Sequence, residues 1–150
     1  MTSALTDRGD AVRPAVPYPI ESPTTKPFWQ GLRDGRLMLM RCRECRRWYW
    51  PYSACREDHN LPYLENMVWE EASGEGTIFS FSLHLQQFHP AFVPPHAYGV
   101  VELAEGPLLP AAIVGLGDSG SVAAVGRPVV ASFRMVDERL TVLDFRVRDE

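Results

Sequence analysis

The chain has 150 residues, 45% of them hydrophobic and 23% charged, with a formal net charge of −4. That is the composition of an ordinary globular protein with room for one sizeable core and a small satellite, and it argues against a disordered or disulfide-dense chain. No apolar run approaches the roughly 18 residues needed to cross a bilayer, so a membrane partner is not expected.

Residues 1–23 read as a proline-rich tail, with Pro14, Pro17, Pro19 and Pro23 favouring extended backbone over regular pairing. The first residues carry no apolar h-region, so no secretory signal is visible and the chain reads as cytoplasmic. A helix is predicted next. Thr24 or Thr25 can cap it, Pro27 suits its first turn, Gly35 can end it, and Phe28, Trp29 and Leu32 give it an apolar face.

Residues 36–41 then read as a strand leading into Cys42 and Cys45, and Trp48 to Trp50 as the strand leading out. Cys55 follows ten residues after Cys45, and these three are the chain's only cysteines. Two thiolates on one tight turn and a third from a second turn are the layout of a zinc knuckle. A four-cysteine ribbon would put its last ligand at 58. Here Asp58 stands there with His59 beside it, and zinc accepts either group. The alternative is a metal-free ribbon held by Trp48, Trp50 and Tyr52. An odd number of cysteines without a signal favours reduced thiols or metal over disulfides.

Charge is uneven along the chain. Residues 33–60 hold seven arginines against four acids, whereas residues 61–150 hold five against twelve. Arg41, Arg43, Arg46 and Arg47 with Trp48, Tyr49 and Trp50 could grip phosphates and a purine through planar forks and stacking, as in coenzyme A or single-stranded nucleic acid. They could equally form a solvated face. The acidic overall balance counts against nucleic acid.

From residue 66 onward the pattern is β. Residues 66–71 form a candidate strand. Residues 77–85 follow, with Thr77, Phe79, Phe81, Leu83 and Leu85 on one face. Strands over 98–103, 108–116, 129–135 and 140–147 complete a small closed barrel over 66–147. Its expected core includes Phe79, Phe81, Val100, Ile113, Val130 and Phe145. Glu102 and Asp144 read as outward-facing. The loop 86–97 holds Phe88, Phe92 and Val93 among three prolines, and its length points to a surface that something else covers. His84, His89 and His96 flank it. No Ser-His-Asp order, phosphate loop or carboxylate pair stands out, so no catalytic residue is assigned.

Taken in order, the Phe28-Trp29 helix with Gly31 and Leu32, Arg41-Cys42 and Cys45, Pro51, Gly76-Thr77, the Phe92 loop, residues 97–106 and residues 125–129 resemble one family over about 24–147. It is the acyl-CoA-associated zinc-ribbon plus OB-fold family, long called domain of unknown function thirty-five. Asp58 stands where the family usually has its fourth cysteine, and Ala97 where a proline is common. The resemblance implies a mainly β protein: an N-terminal helix and rubredoxin-like zinc ribbon (24–62), then an OB-fold antiparallel β-barrel (63–150). It also implies structural zinc on Cys42, Cys45, Cys55 and Asp58 or His59, and an accessory, non-catalytic role in a hetero-oligomer. The partner would be a thiolase-like acyltransferase or steroid side-chain aldolase. Acyl-CoA would dock near Arg41, Arg46, Arg47 and Trp48, and the partner would sit on Phe88, Phe92, Val93 and Tyr98. The opposing class is a single-stranded nucleic-acid-binding module.

Overall fold

The computed structural model describes residues 16–57, 59, 63–116 and 124–148. Helix α1 spans Lys26–Arg33, with Pro27 in its first turn. Thr25 precedes it, but its hydroxyl accepts the Ser22 amide at 3.0 Å and does not cap the helix. Gly35 ends the helix in the left-handed region at φ 72°, where a Cβ would be strained, and the Arg36 amide closes back on the Gly31 carbonyl at 2.8 Å. Phe28 and Leu32 are buried, as their spacing predicts.

Strands β1 (Met38–Cys42), β2 (Trp48–Tyr49) and β3 (Met67–Glu71) form a three-stranded sheet in the order β2-β1-β3. β3 was expected in the barrel and instead pairs with β1 over its whole length, from Met38 opposite Glu71 to Cys42 opposite Met67. Alternation sends successive residues of β1 to opposite sides. Leu39 goes to the main core. Met40 and Cys42 go to a small cluster with Tyr49, Cys55 and Met67.

Strands β4 (Glu75–His84), β5 (His96–Leu103), β6 (Leu108–Val114), β7 (Pro128–Met135) and β8 (Thr141–Val147) close a barrel in the order β4-β5-β6-β8-β7. Every seam is antiparallel except β6 with β8, which run parallel through Ala112 to Val114. Ile113 and Phe145 lie in the core as expected. Phe79 does not. A bulge between Ile78 and Ser80 makes Phe79 an extra residue, so Ile78 is 1% exposed and Phe79 53%. The strand changes phase there, and Phe81 beyond it packs against the core. Two more core expectations shift by one position: Val101 and Val129 fill the core, while Val100 and Val130 are half-buried. Opposite the bulge, Gly99 lets β4 approach closely, because a Cβ there would meet the Ser80 carbonyl.

Among the described residues, no helix is long and apolar enough to cross a membrane.

Candidate metal centre and the faces around it

The turn after β1 presents Cys42 and Cys45, and the segment after β2 brings Cys55 and His59 back to them. The three sulfurs and one imidazole nitrogen all lie within 4.8 Å of one another. Cys45 Sγ is 3.5 Å from Cys55 Sγ, and His59 Nδ1 is 3.8 Å from Cys42 Sγ and 3.7 Å from Cys55 Sγ. A tetrahedral zinc with sulfur ligands at about 2.3 Å has edges of about 3.8 Å, so this donor set fits the ion. Of the two candidates for a fourth ligand, the structure brings in His59. Asp58 lies outside the described residues.

Groups around the ligands hold them in their binding form. His59 Nε2 meets Glu44 Oε2 at 3.4 Å, the carboxylate–imidazole arrangement that fixes which nitrogen faces a metal. Burial acts to raise the Cys55 thiol. Hydrogen bonds from the Tyr49 hydroxyl at 3.3 Å and the Glu57 amide at 3.4 Å outweigh it and lower that thiol to about 6. The Tyr49 hydroxyl is itself raised, chiefly by burial and then by its bond to Cys55. With four protein donors there is no open position for substrate, which is the pattern of a structural site.

The neighbouring arginines are largely engaged. Arg41 lies 4.5 Å over the Trp48 ring and reaches Glu70 at 3.0 Å, and Arg46 reaches the other Glu70 oxygen at 3.3 Å. Arg47 pairs with Glu57 at 3.0 Å on the surface. A shallow cleft of about 370 Å³ lies between Arg47, Trp48 and Arg56 on the ribbon and the turn at Gly106 to Leu108.

On the barrel, the loop between β4 and β5 holds Phe88 and Val93 out at 75% and 71% exposure, with Phe92 at 42% and Tyr98 at 45%. The histidines flanking it belong to an aromatic group: His84 lies 6.1 Å from His96 between ring centroids, and His96 5.8 Å from Phe92. Burial first, and then the neighbouring His84, lowers the His96 pKa, so its ring stays uncharged at neutral pH. Asp144 does face outward from the barrel, yet it is only 5% exposed and accepts Arg134 Nε at 2.8 Å. This pair escaped sequence reasoning. The available signal was one acid inside the largely apolar stretch 140–145.

A short helix, a Cys3His ribbon and a five-stranded closed barrel define a class, the zinc-ribbon plus OB-fold proteins. Residues 29–60 match the family described as ChsH2, rubredoxin-like zinc ribbon domain, and residues 69–134 match the ChsH2 C-terminal OB-fold domain. The chain belongs to this ChsH2-type, or DUF35, family. It is 31% identical over 122 residues to a probable enoyl-CoA hydratase alpha subunit of Thermomonospora curvata, covering 79% of this chain and 36% of that protein. It is also 31% identical over 119 residues to the 3-oxo-4,17-pregnadiene-20-carboxyl-CoA hydratase alpha subunit of Mycobacterium tuberculosis, with the same shares covered. The chain thus spans about a third of the length of these two curated relatives. Among solved structures it resembles a chain of an Ltp2-ChsH2(DUF35) aldolase, with a TM-score of 0.74, 27% identity, and 87% of this chain and 98% of that chain covered. A DUF35-family protein from Sulfolobus solfataricus shares the fold at a TM-score of 0.55 and 15% identity, covering 87% of this chain and 90% of that one.

Proposed function

We propose that this chain is a non-catalytic accessory subunit of a thiolase-like, acyl-CoA-processing enzyme of steroid or lipid side-chain degradation. The partner performs the acyl transfer or the retro-aldol or retro-Claisen cleavage. The observation that carries this reading is the apolar surface made by Phe88, Phe92 and Val93 of the β4–β5 loop and Tyr98 of β5, which stand exposed beside a well-filled core. Such a surface is stabilised by being covered, at roughly 25 cal/mol per Å² before association costs. The names of the relatives, alpha subunits of CoA-ester hydratases and a two-protein aldolase, support an assembly of this kind. The zinc holds the ribbon in shape and takes no part in the reaction.

Acyl-CoA docks on the ribbon side in this reading. Glu70 ties up Arg41 and Arg46, which narrows the phosphate contacts to Arg47 and Arg56 around Trp48. The exposed Arg47–Glu57 pair is weak enough to exchange for a phosphate. The same pairing of arginines with acids leaves little basic surface for a polynucleotide, so the nucleic-acid reading has less support.

Co-expression with a thiolase-like partner tests the proposal. The wild-type pair should co-elute on size exclusion, and Phe88→Asp should weaken assembly at least tenfold while leaving the melting temperature of the isolated chain within about a degree. A wild-type pair that never co-elutes, or turnover of acyl-CoA by the chain alone, would defeat it.

A further inference from the structure

In an OB barrel the outer face of the second and third strands lies between the loop joining strands one and two and the loop joining strands four and five. That is where such barrels take their ligands. Here those strands are β5 and β6, and the loops are residues 85–95 and 136–140. Residues paired across neighbouring strands share a face, so Tyr98, Ala112 and Asp144 form one outward row across β5, β6 and β8.

This row is the floor of a cleft of about 480 Å³, a size suited to a small molecule. Phe92 comes from the first loop, Val136 and Leu140 from the second. The far wall is Trp29 of α1 and Tyr18 of the segment preceding it. That segment is fastened down: Glu21 holds Arg33 at 2.7 Å, Arg33 reaches the Arg139 carbonyl at 2.9 Å, and Arg139 lies 4.9 Å over the Tyr18 ring. The walls are mostly flat and apolar, and the polar groups converge at the floor. Asp144 takes one nitrogen of Arg134. The other two nitrogens of Arg134 and the Tyr98 hydroxyl have no hydrogen-bond partner among the described residues. Among the described residues that line the cleft, Arg134 and Asp144 are the only full charges, and they cancel. A polyanion finds no attraction there. An apolar body with one acceptor oxygen finds both walls and donors.

We propose that this cleft binds a rigid, fused-ring apolar molecule bearing a ketone, its oxygen on the free donors of Arg134 and Tyr98 and its rings between Tyr18, Trp29 and the β6 wall. Flat aromatic walls that are already in place favour a flat ligand over a flexible acyl chain, which loses more freedom on being fixed. The choice of a steroid ketone rests on the function proposed above; the cleft itself does not.

The test uses the full zinc-loaded chain without a partner and 4-androstene-3,17-dione as the probe. Trp29 and Trp50 line the cleft, so tryptophan fluorescence reads occupancy. Binding should be saturable. It should weaken at least tenfold in Ala112→Phe, which fills the floor, and about fivefold in Arg134→Met, and decanoate should compete at least tenfold less well than a second steroid ketone. If Ala112→Phe does not fold, Pro110→Trp at the exposed rim replaces it. No saturable signal up to the solubility limit, binding unchanged in the filled variants, or equal competition by decanoate would overturn the proposal. Co-elution with the thiolase-like partner is read separately, so either idea can fail while the other stands.

Discussion

The ribbon and the barrel solve the same problem by different means. The ribbon's own cluster has five buried side chains, and two of them are cysteines of the metal site. That is little apolar burial for a three-stranded sheet with open edges, so an ion on the Cys3His group would add to the order that packing on the main core supplies. The barrel has no open edge, and a contiguous core running from Ile78 through Val101, Ile113 and Val129 to Phe145 fills it. It needs no metal. β1 belongs to both regions, with Leu39 on one side and Met40 and Cys42 on the other. A small module can therefore be held by one bound ion when it is also seated on a larger core.

Separating the two regions experimentally is the sharpest check. Cys42→Ser should abolish stoichiometric zinc and release the ribbon, since structural zinc sites contribute on the order of 10 kcal/mol of apparent binding energy. Amide exchange should speed up at 38–49 while 98–114 stays protected. Loss of protection in both would show that the regions form one cooperative unit. Phe145→Ala makes the converse break. It should cost about 3–5 kcal/mol in urea unfolding with zinc per folded chain unchanged. Ile78→Ala should cost about 2–5 kcal/mol, whereas Phe79→Ser, one residue along on the outside of the bulge, should stay within about 0.5 kcal/mol.

The smallest effect lies on the ribbon surface. A hydrogen bond from Arg41 holds the Glu70 carboxyl below its ordinary range, against the opposing effect of burial and with further help from the charge of Arg46. A lowered carboxyl stabilises the fold fully above the ordinary carboxylate range, and this contribution is lost as pH falls through the lowered value. Glu70→Gln should thus cost about 1 kcal/mol or less near neutral pH, because the group is partly screened. The gap between wild type and variant should shrink toward pH 3. A gap that grows on acidification would reverse the assigned sign.

The metal ligands were legible because their chemistry dictates their spacing: Cys42, Cys45 and Cys55 announce a knuckle wherever the chain goes afterwards. Strand existence was legible for similar reasons, from runs of apolar residues between glycine turns. Strand phase was not. Val100 and Val101, like Val129 and Val130, are adjacent and chemically alike, so only barrel closure decides which one faces inward. The bulge at Phe79 depends on how β4 meets Gly99, which no alternation pattern within β4 reveals. β3 reads as one more strand of the barrel, and only its pairing with β1 assigns it to the ribbon. The outer-face cleft was illegible for a stronger reason. Tyr18, Phe92, Arg134 and Asp144 become neighbours only once the barrel has closed.

The placement of β3 has a consequence for anyone moving these parts between proteins. The segment from Met67 to Glu71 follows the last cysteine and looks like the start of the next domain, yet it is an edge strand of the ribbon's sheet. Only Ala72, Ser73 and Gly74 separate it from β4, and the Ala72 amide bonds back to the Leu37 carbonyl at 2.8 Å. A transplanted ribbon cut just after residue 62 would leave a third of its sheet behind. The transferable cassette ends at this three-residue hinge, and a swap made there would carry the metal site together with its complete sheet.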